Sequence, residues 1–290
     1  MHLHDAHNHL MDARFSGATE RLVSEAREAG VHRMVVNSTR ESDWPEVSRL
    51  AATLPGILPS YGIHPWYLAS ASDHWKEALR ARLVAEPDAA VGEIGIDRWI
   101  LEARAEVRDQ HSPGLASSIP ASLEQQAAAF VWQLGLAAEL GRPASLHCLQ
   151  AWGFLLELLR ASPRPKAGFL LHSYGGPREM IPALAELGAF FGFPGYFLHE
   201  RKERQREVFR HVPIDRLLVE TDAPDQPLPE ASLTHPFHGT DGHSWNHPAN
   251  LRAVYQGLAP IRDVSVESLA ASVEANFHRL FGRRSMTNGQ

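Results

Sequence analysis

Along the 290 residues, short apolar runs alternate with longer stretches of helical period almost from one end to the other. Eight runs have strand character: "LHDAHNHL", "RMVVN", "ILPSYGIH", "AAVGEIGID", "PASLHCL", "AGFLLHSY", "GAFFGF" and "RLLVETDA". The helical period between them predicts helices over 18–29, 43–54, 73–86, 122–140, 151–161, 178–187 and 200–211, and two more near 248–259 and 265–281. Each helical stretch suits a parallel crossover, and eight strands so linked is the number that closes a barrel. The chain therefore reads as an α/β protein, a (β/α)8 TIM barrel. With no composition shift and no repeat beyond the βα alternation, it reads as one domain over 1–290. Two segments break the rhythm, about 98–120 after the fourth strand and about 223–246 after the eighth. Loops of that length in compact domains often act as lids or binding loops.

Composition narrows the function. The single cysteine, Cys148, excludes an intramolecular disulfide and points to a reducing compartment such as a bacterial-type cytoplasm. Neither a leader pattern nor an apolar window of about 18 residues occurs, so a soluble, unprocessed chain without a membrane partner is expected. The formal net charge of −6 is the wrong sign for holding nucleic acid by phosphate neutralisation alone, and any such role needs a local site. The 17 histidines cluster rather than scatter, which directs attention to metal or acid–base chemistry.

Histidines at 2, 4, 7 and 9 open the chain. On a strand, Asp5, His7 and His9 share one face, while His2, His4 and Asn8 share the other. At a rise of about 3.3 Å per residue, positions 7 and 9 stand roughly 6.6 Å apart, close enough for two imidazoles to converge on one ion. His2 and His4 should lie away from that ion, at the foot of the strand. Later strands also end in ligand-type residues: Glu93 in "VGEIGID", His147 in "SLHCL", His172 in "LLHSYGG" and Asp222 in "LLVETDAP". Singly, each reads equally as a polar strand end, and Asp222 as a helix cap. In a closed barrel, however, all these ends meet at the face where barrel enzymes build their sites.

The stretches "DAHNHL", "GIHPW", "GEIGID", "QLGLAAELGRPASLHC", "LHSYGG", "LLVETDAP", "NHPANL" and "NFHRLFG" occur in this order over residues 3 to 282. In them the chain resembles the TatD family of metal-dependent hydrolases, a branch of the amidohydrolase-like barrels. The resemblance implies a divalent-metal site and hydrolysis of DNA phosphodiester bonds, often from the 3′ end, with DNA ends or single strands as substrate. By motif, it implies that His7 and His9 hold one metal, Glu93 bridges two, and His147 and His172 hold the second. Asp222 would complete the first and act as base or acid. His64 in "GIHPW" matches a family histidine beside the site and is assigned to substrate phosphate or the leaving group, giving Asp222, Glu93 and His64 as the catalytic set. The chain departs from the family where "IDRW" lacks a Tyr directly after the strand-four Asp, and where Tyr174 and Gly175 follow "HS".

Two dications roughly 3.5–4 Å apart lower the pKa of a shared water enough for attack at neutral pH. Four imidazoles and two carboxylates suit Zn or Mn before Mg, which prefers oxygen ligands but is the metal the resemblance suggests. Asp5 and Glu220 are candidates for orienting ligands from behind. Arg98, Arg104, Arg108 and Trp99 in the first insertion suit phosphates and a base equally as well as an exposed amphipathic stretch. His235, His238, His243 and His247 in the second have glycines and prolines between them and read as a mobile rim. Cys148 should face away from His147 as a small buried hydrophobe. Alternatives are the same metal centre acting on an ester, lactone, amide or small phosphoester, and a non-catalytic metal- or nucleic-acid-binding protein. No obligate protein partner is expected.

Overall fold

The computed structural model describes residues 1–105, 108, 119–239 and 242–282. Eight strands form one sheet in chain order: β1 (Leu3–Asn8), β2 (Val31–Asn37), β3 (Ile57–Tyr61), β4 (Ala90–Asp97), β5 (Ala144–Leu149), β6 (Phe169–Leu171), β7 (Ala189–Pro194) and β8 (Leu217–Glu220). Each neighbouring pair is parallel. Sequence order equal to sheet order requires a crossover after each strand, and helices such as Thr19–Glu28, Trp44–Thr53 and Trp75–Ala85 supply it. Parallel strands covered on both faces are buried along their length, and all eight residues of β4 are buried, Glu93 and Asp97 included.

Backbone bonds close the sheet into a nearly complete (β/α)8 barrel at the mouth: Asp222 N–H donates to His7 O at 3.0 Å and His9 N–H to Ala223 O at 2.7 Å. Asp5 reinforces the seam by accepting from Thr221 N at 2.9 Å and from the Thr221 hydroxyl.

Local signals account for the helix ends. Leu123–Leu140 starts at a Ser122/Gln125 capping box and stops at Gly141, whose φ of +66° is the left-handed conformation that glycine tolerates. Val266–Phe281 starts where the Ser265 hydroxyl accepts from Ser268 N–H. Among the described residues, no helix is long and apolar enough to cross a membrane.

In the first insertion a helical turn spans Trp99–Glu102; residues 106, 107 and 109–118, in the middle of that segment, lie outside the described residues. The second insertion carries a two-stranded antiparallel pair, β9 (Phe237–His238) with β10 (Ser244–Trp245). Its exit is anchored rather than loose: His247 is buried, with Nε2 2.8 Å from Glu25 Oε2 and Nδ1 accepting from Ala249 N–H. Upstream, Asn250 Oδ1 accepts from His235 N–H at 2.8 Å.

Close approach of β4 and β5 brings Glu93 and His147 together, and it depends on Gly95. A Cβ there would stand 2.0 Å from His147 O. Gly95→Ala is expected to lower unfolding stability by about 2–4 kcal/mol through overpacking and backbone displacement, read as a shift in the urea midpoint.

Candidate metal centre

At the carboxyl ends of the strands, the barrel gathers the ligand-type residues from seven places in the chain. His7 lies in β1 and His9 just beyond it, Glu93 within β4, His147 in β5, His172 directly after β6, Asp222 two residues after β8, and His64 three residues after β3. Asp222 has φ +55°, a left-handed conformation of the kind stored at functional sites. All except the partly exposed His147 are buried.

Glu93 occupies the centre, and its two oxygens face different partners. Oε2 lies 3.4 Å from both His7 Nε2 and His9 Nε2. Oε1 lies 3.1 Å from His147 Nδ1, 3.3 Å from His172 Nε2 and 3.5 Å from His64 Nε2. Asp222 Oδ1 stands 3.7 Å from His7 Nε2 and 3.4 Å from His9 Nε2.

Four imidazoles turn one nitrogen inward, and at His9 and His147 the other nitrogen meets a group that can only accept. His9 Nδ1 lies 2.8 Å from Asn37 O, a carbonyl that can only accept, so Nδ1 carries a hydrogen and Nε2 faces the two carboxylates, where either a proton or a metal ion can take its lone pair. His147 Nε2 lies 2.9 Å from Asp97 Oδ2, which by the same logic leaves Nδ1 facing Glu93. His7 Nδ1 is 2.8 Å from the Ser145 hydroxyl, and His172 Nδ1 is 3.3 Å from Glu220 Oε1. An outer acceptor that fixes the tautomer is the usual support behind a metal-binding histidine. His64 has the opposite polarity. Its Nδ1 accepts from Trp66 N–H at 3.2 Å, so the neutral ring carries its hydrogen on Nε2, toward Glu93.

The electrostatics also favour a cation. Burial works against charge on every member, yet His64, His172, His7 and His147 hold Glu93 well below the ordinary carboxylate range, and His172 with His9 and His7 does the same for Asp222. Conversely, burial is outweighed at His9 by Asp222 and Glu93, and at His147 by Asp97 and Glu93, so that both rings are pushed up to about 10. His64, with burial dominant, is lowered to about 3 and is neutral. Protons on imidazoles thus supply the positive charge that the two carboxylates require.

A divalent ion would supply the same charge, and the donors fit one. Asp222 Oδ2 accepts from Gln226 Nε2 at 2.6 Å, while Oδ1 is buried without a hydrogen-bond partner and faces the His7–His9 pair. Three overlapping groups have ligand atoms within 4.8 Å of one another: His7, His9 and Asp222; His7, Glu93 and His172; His64, Glu93 and His147. The donor set of nitrogen and carboxylate oxygen suits a borderline divalent ion.

Asp5 shares the strand face of His7 and His9, but its carboxylate goes elsewhere, to Thr221, Asn8 Nδ2 and His7 N–H. It fastens β1 to the end of β8 and does not orient an imidazole. Glu220 does stand behind His172, and Gly192 makes room for it, since a Cβ there would be 2.1 Å from Glu220 Oε2. Asp97 is the supporting residue that sequence reasoning missed, although it shares a face with Glu93 two pleats earlier. It binds both His147 and Trp66 Nε1, the latter at 2.6 Å. Trp99 joins this wall, its ring centroid 5.7 Å from that of Trp66. Cys148 is buried, and burial pushes its thiol pKa up, away from reactivity. The metal-holding groups found among the described residues include none of His235, His238, His243 and His247.

Two tests follow from this geometry. Asp97→Asn should weaken divalent-metal binding about 10–100-fold by freeing the His147 tautomer, measured by equilibrium dialysis. In chelator-treated protein, His9 and His147 keep their protons to about pH 10, whereas unfolded imidazoles titrate near 6.5. That stabilisation is complete below about pH 6.5 and disappears as pH rises toward 10. Melting temperature should fall across that window without metal, and fall much less when the site is loaded.

Comparison with known proteins agrees with the geometry. The profile of the TatD related DNase family matches residues 4–282. A Klebsiella pneumoniae protein called 3′-5′ ssDNA/RNA exonuclease TatD is 33% identical over 275 residues, covering 94% of this chain and 95% of that one. The protein of the same name from Pantoea vagans is 32% identical over 275 residues, covering 94% and 96%. Among solved structures, the TatD homologue YjjV of Escherichia coli K12 superposes with a TM-score of 0.81 at 27% identity, covering 97% of this chain and 98% of its own. The chain belongs to the TatD related DNase family.

Proposed function

We propose that the whole chain acts as one metal-dependent nuclease domain that hydrolyses phosphodiester bonds of single-stranded DNA or RNA from the 3′ end. The observation that carries this reading is the convergence of His7, His9, His147 and His172 on Glu93 and Asp222, with His9 and His147 held by outer acceptors while His64 turns a donor inward. Bound there, two divalent ions acidify water and neutralise phosphate charge. In this reading His7, His9 and Asp222 would hold one ion and His147 and His172 the other, with Glu93 as a ligand shared between them. Donor chemistry ranks Zn or Mn ahead of Mg.

The protein's own groups perform the proton transfers. Asp222, ionised, would hold the ion through Oδ1 and, through the carboxylate oxygen that the ion leaves free, accept a proton from the attacking water and return it to the leaving oxygen. Gln226 holds the other oxygen so that Oδ1 keeps its direction. The His64 Nε2 hydrogen contacts a phosphate oxygen or the departing oxygen, and the neutral ring carries it because Nδ1 accepts from Trp66 N–H. Trp66, 5.4 Å from His64, and Trp99 beside it supply flat apolar faces at the rim. Such faces stack bases without regard to sequence, which favours a nucleic acid over a small ester or lactone. The reduced, buried Cys148 is consistent with a cytoplasmic setting.

Metal-loaded protein should shorten 3′-labelled single-stranded DNA and RNA oligonucleotides and leave a panel of lactones and carboxylic esters intact. Asp222→Asn should abolish cleavage. His64→Gln should lower kcat about 10²–10³-fold while retaining bound metal, as expected for loss of one donor to a developing negative charge. Lactone opening with intact oligonucleotides would overturn the nuclease reading.

A further inference from the structure

At the opposite end of the barrel, the same N-terminal strand starts a second concentration of ligand-type side chains. His4 lies in β1 and faces the helix Val266–Phe281; its ring centroid is 4.7 Å from Phe277 and 5.3 Å from His278. One ligand atom each from His4, Glu274 and His278 lies within 4.8 Å of the others. Glu274 and His278 are one helical turn apart on the same face, 3.9 Å between His278 Nε2 and Glu274 Oε1. His2 stands beside them, Nδ1 3.5 Å from Glu274 Oε1, with its ring stacked on His32 at 4.4 Å.

His4 is fully buried, and neither Nδ1 nor Nε2 has a hydrogen-bond partner. A buried imidazole with two unmet nitrogens is costly unless something binds it. The ring is also kept unprotonated. Burial, then the charges of His278, His32, Arg33 and His2, lower it to about 3, so it offers a free lone pair at neutral pH. Glu274 and His278 also line a groove of about 720 Å³, together with His2, Arg27, His32 and Arg33.

We propose that His4, Glu274 and His278 form a second, structural cation site for a borderline divalent ion such as zinc, remote from the mouth. Two imidazoles and one carboxylate are a common protein ligand set for zinc, leaving a fourth position for water or for His2. Tetrahedral ligand atoms about 2.1 Å from zinc stand about 3.4 Å apart, so small movements of the half-buried Glu274 and the exposed His278 side chains close the site. The ion would tie the first strand to the last helix and so cross-link nearly the whole chain.

The test compares wild type with the double variant Glu274→Gln/His278→Ala. Glu274 is half-buried and His278 exposed on one helix face, so the variant should keep its fold, checked by circular dichroism. After loading with zinc and gel filtration, elemental analysis should find one equivalent per chain fewer in the variant than in wild type. Cobalt(II) substitution should remove one tetrahedral visible band in the variant, and zinc should raise the melting temperature of wild type more than that of the variant. Equal zinc counts with unchanged cobalt spectra would overturn the proposal. The mouth site is present in both proteins, so its own occupancy cancels from the difference.

Discussion

An ionised carboxylate almost completely enclosed by protein is costly, because the solvation it loses must be replaced by charge or hydrogen bonds in fixed positions. Glu93, only 3% exposed, sets that condition at the centre of the barrel mouth. Five imidazoles surround it within 3.5 Å. Meeting the condition requires the strands to converge, and the convergence explains details far from any chemistry. β4 approaches β5 closely enough to exclude a Cβ at Gly95, and β7 leaves space at Gly192 for Glu220 behind His172. Asp5 is spent on the seam between β1 and the end of β8 because the seam holds His7 and Asp222 opposite each other. A mouth that collects negative carboxylates and inward lone pairs is arranged for cations before any substrate arrives.

The barrel and the six ligand-type residues were legible because two simple periodicities carry them. Alternation of strand and helix gives the topology, and strand ends give the face where functional residues meet. The supporting residues were less legible, for reasons that differ. Asp97 shares the face of Glu93, so parity alone identifies it as a mouth residue; its partner His147 lies 50 positions away. The group behind His9 is the carbonyl of Asn37, and a backbone oxygen leaves no mark in residue identity. Asp5 shows parity overridden: β1 shifts register against β2 between Asp5 and Asn8, and the carboxylate turns to Thr221, 216 residues on. The contact that anchors the exit of the second insertion leaves no local mark, because His247 and Glu25 stand 222 residues apart.

β1 also shows how one short strand serves both ends of a barrel. Its residues near the carboxyl end reach the mouth, while His4, near the amino end, turns outward against the last helix. Opposite faces of a strand belong to different environments: the inside of the barrel and the layer between sheet and helices. Histidine on the first face meets carboxylates; on the second it meets Phe277 and the Glu274–His278 pair. The repeated His-x-His pattern therefore encodes two sites with unrelated surroundings and does not extend one ligand array.

Residue type cannot separate a metal ligand from a proton donor when both are histidine, and distance to Glu93 does not separate them either, since His64 and His172 lie within 0.2 Å of each other in that respect. The outer nitrogen decides. An acceptor behind the ring, as at Asn37 O or Asp97 Oδ2, places the hydrogen outside and the lone pair inside. A donor behind the ring, as at Trp66 N–H, does the reverse. Pro65 makes this donor available: it begins the 3-10 turn Pro65–Ser70, in which the N–H of Trp66 has no partner within the turn and is free for the side chain of the residue preceding the proline. The sequence "HPW" thus fixes a tautomer through local backbone geometry, and with it a hydrogen rather than a lone pair on the nitrogen that faces Glu93.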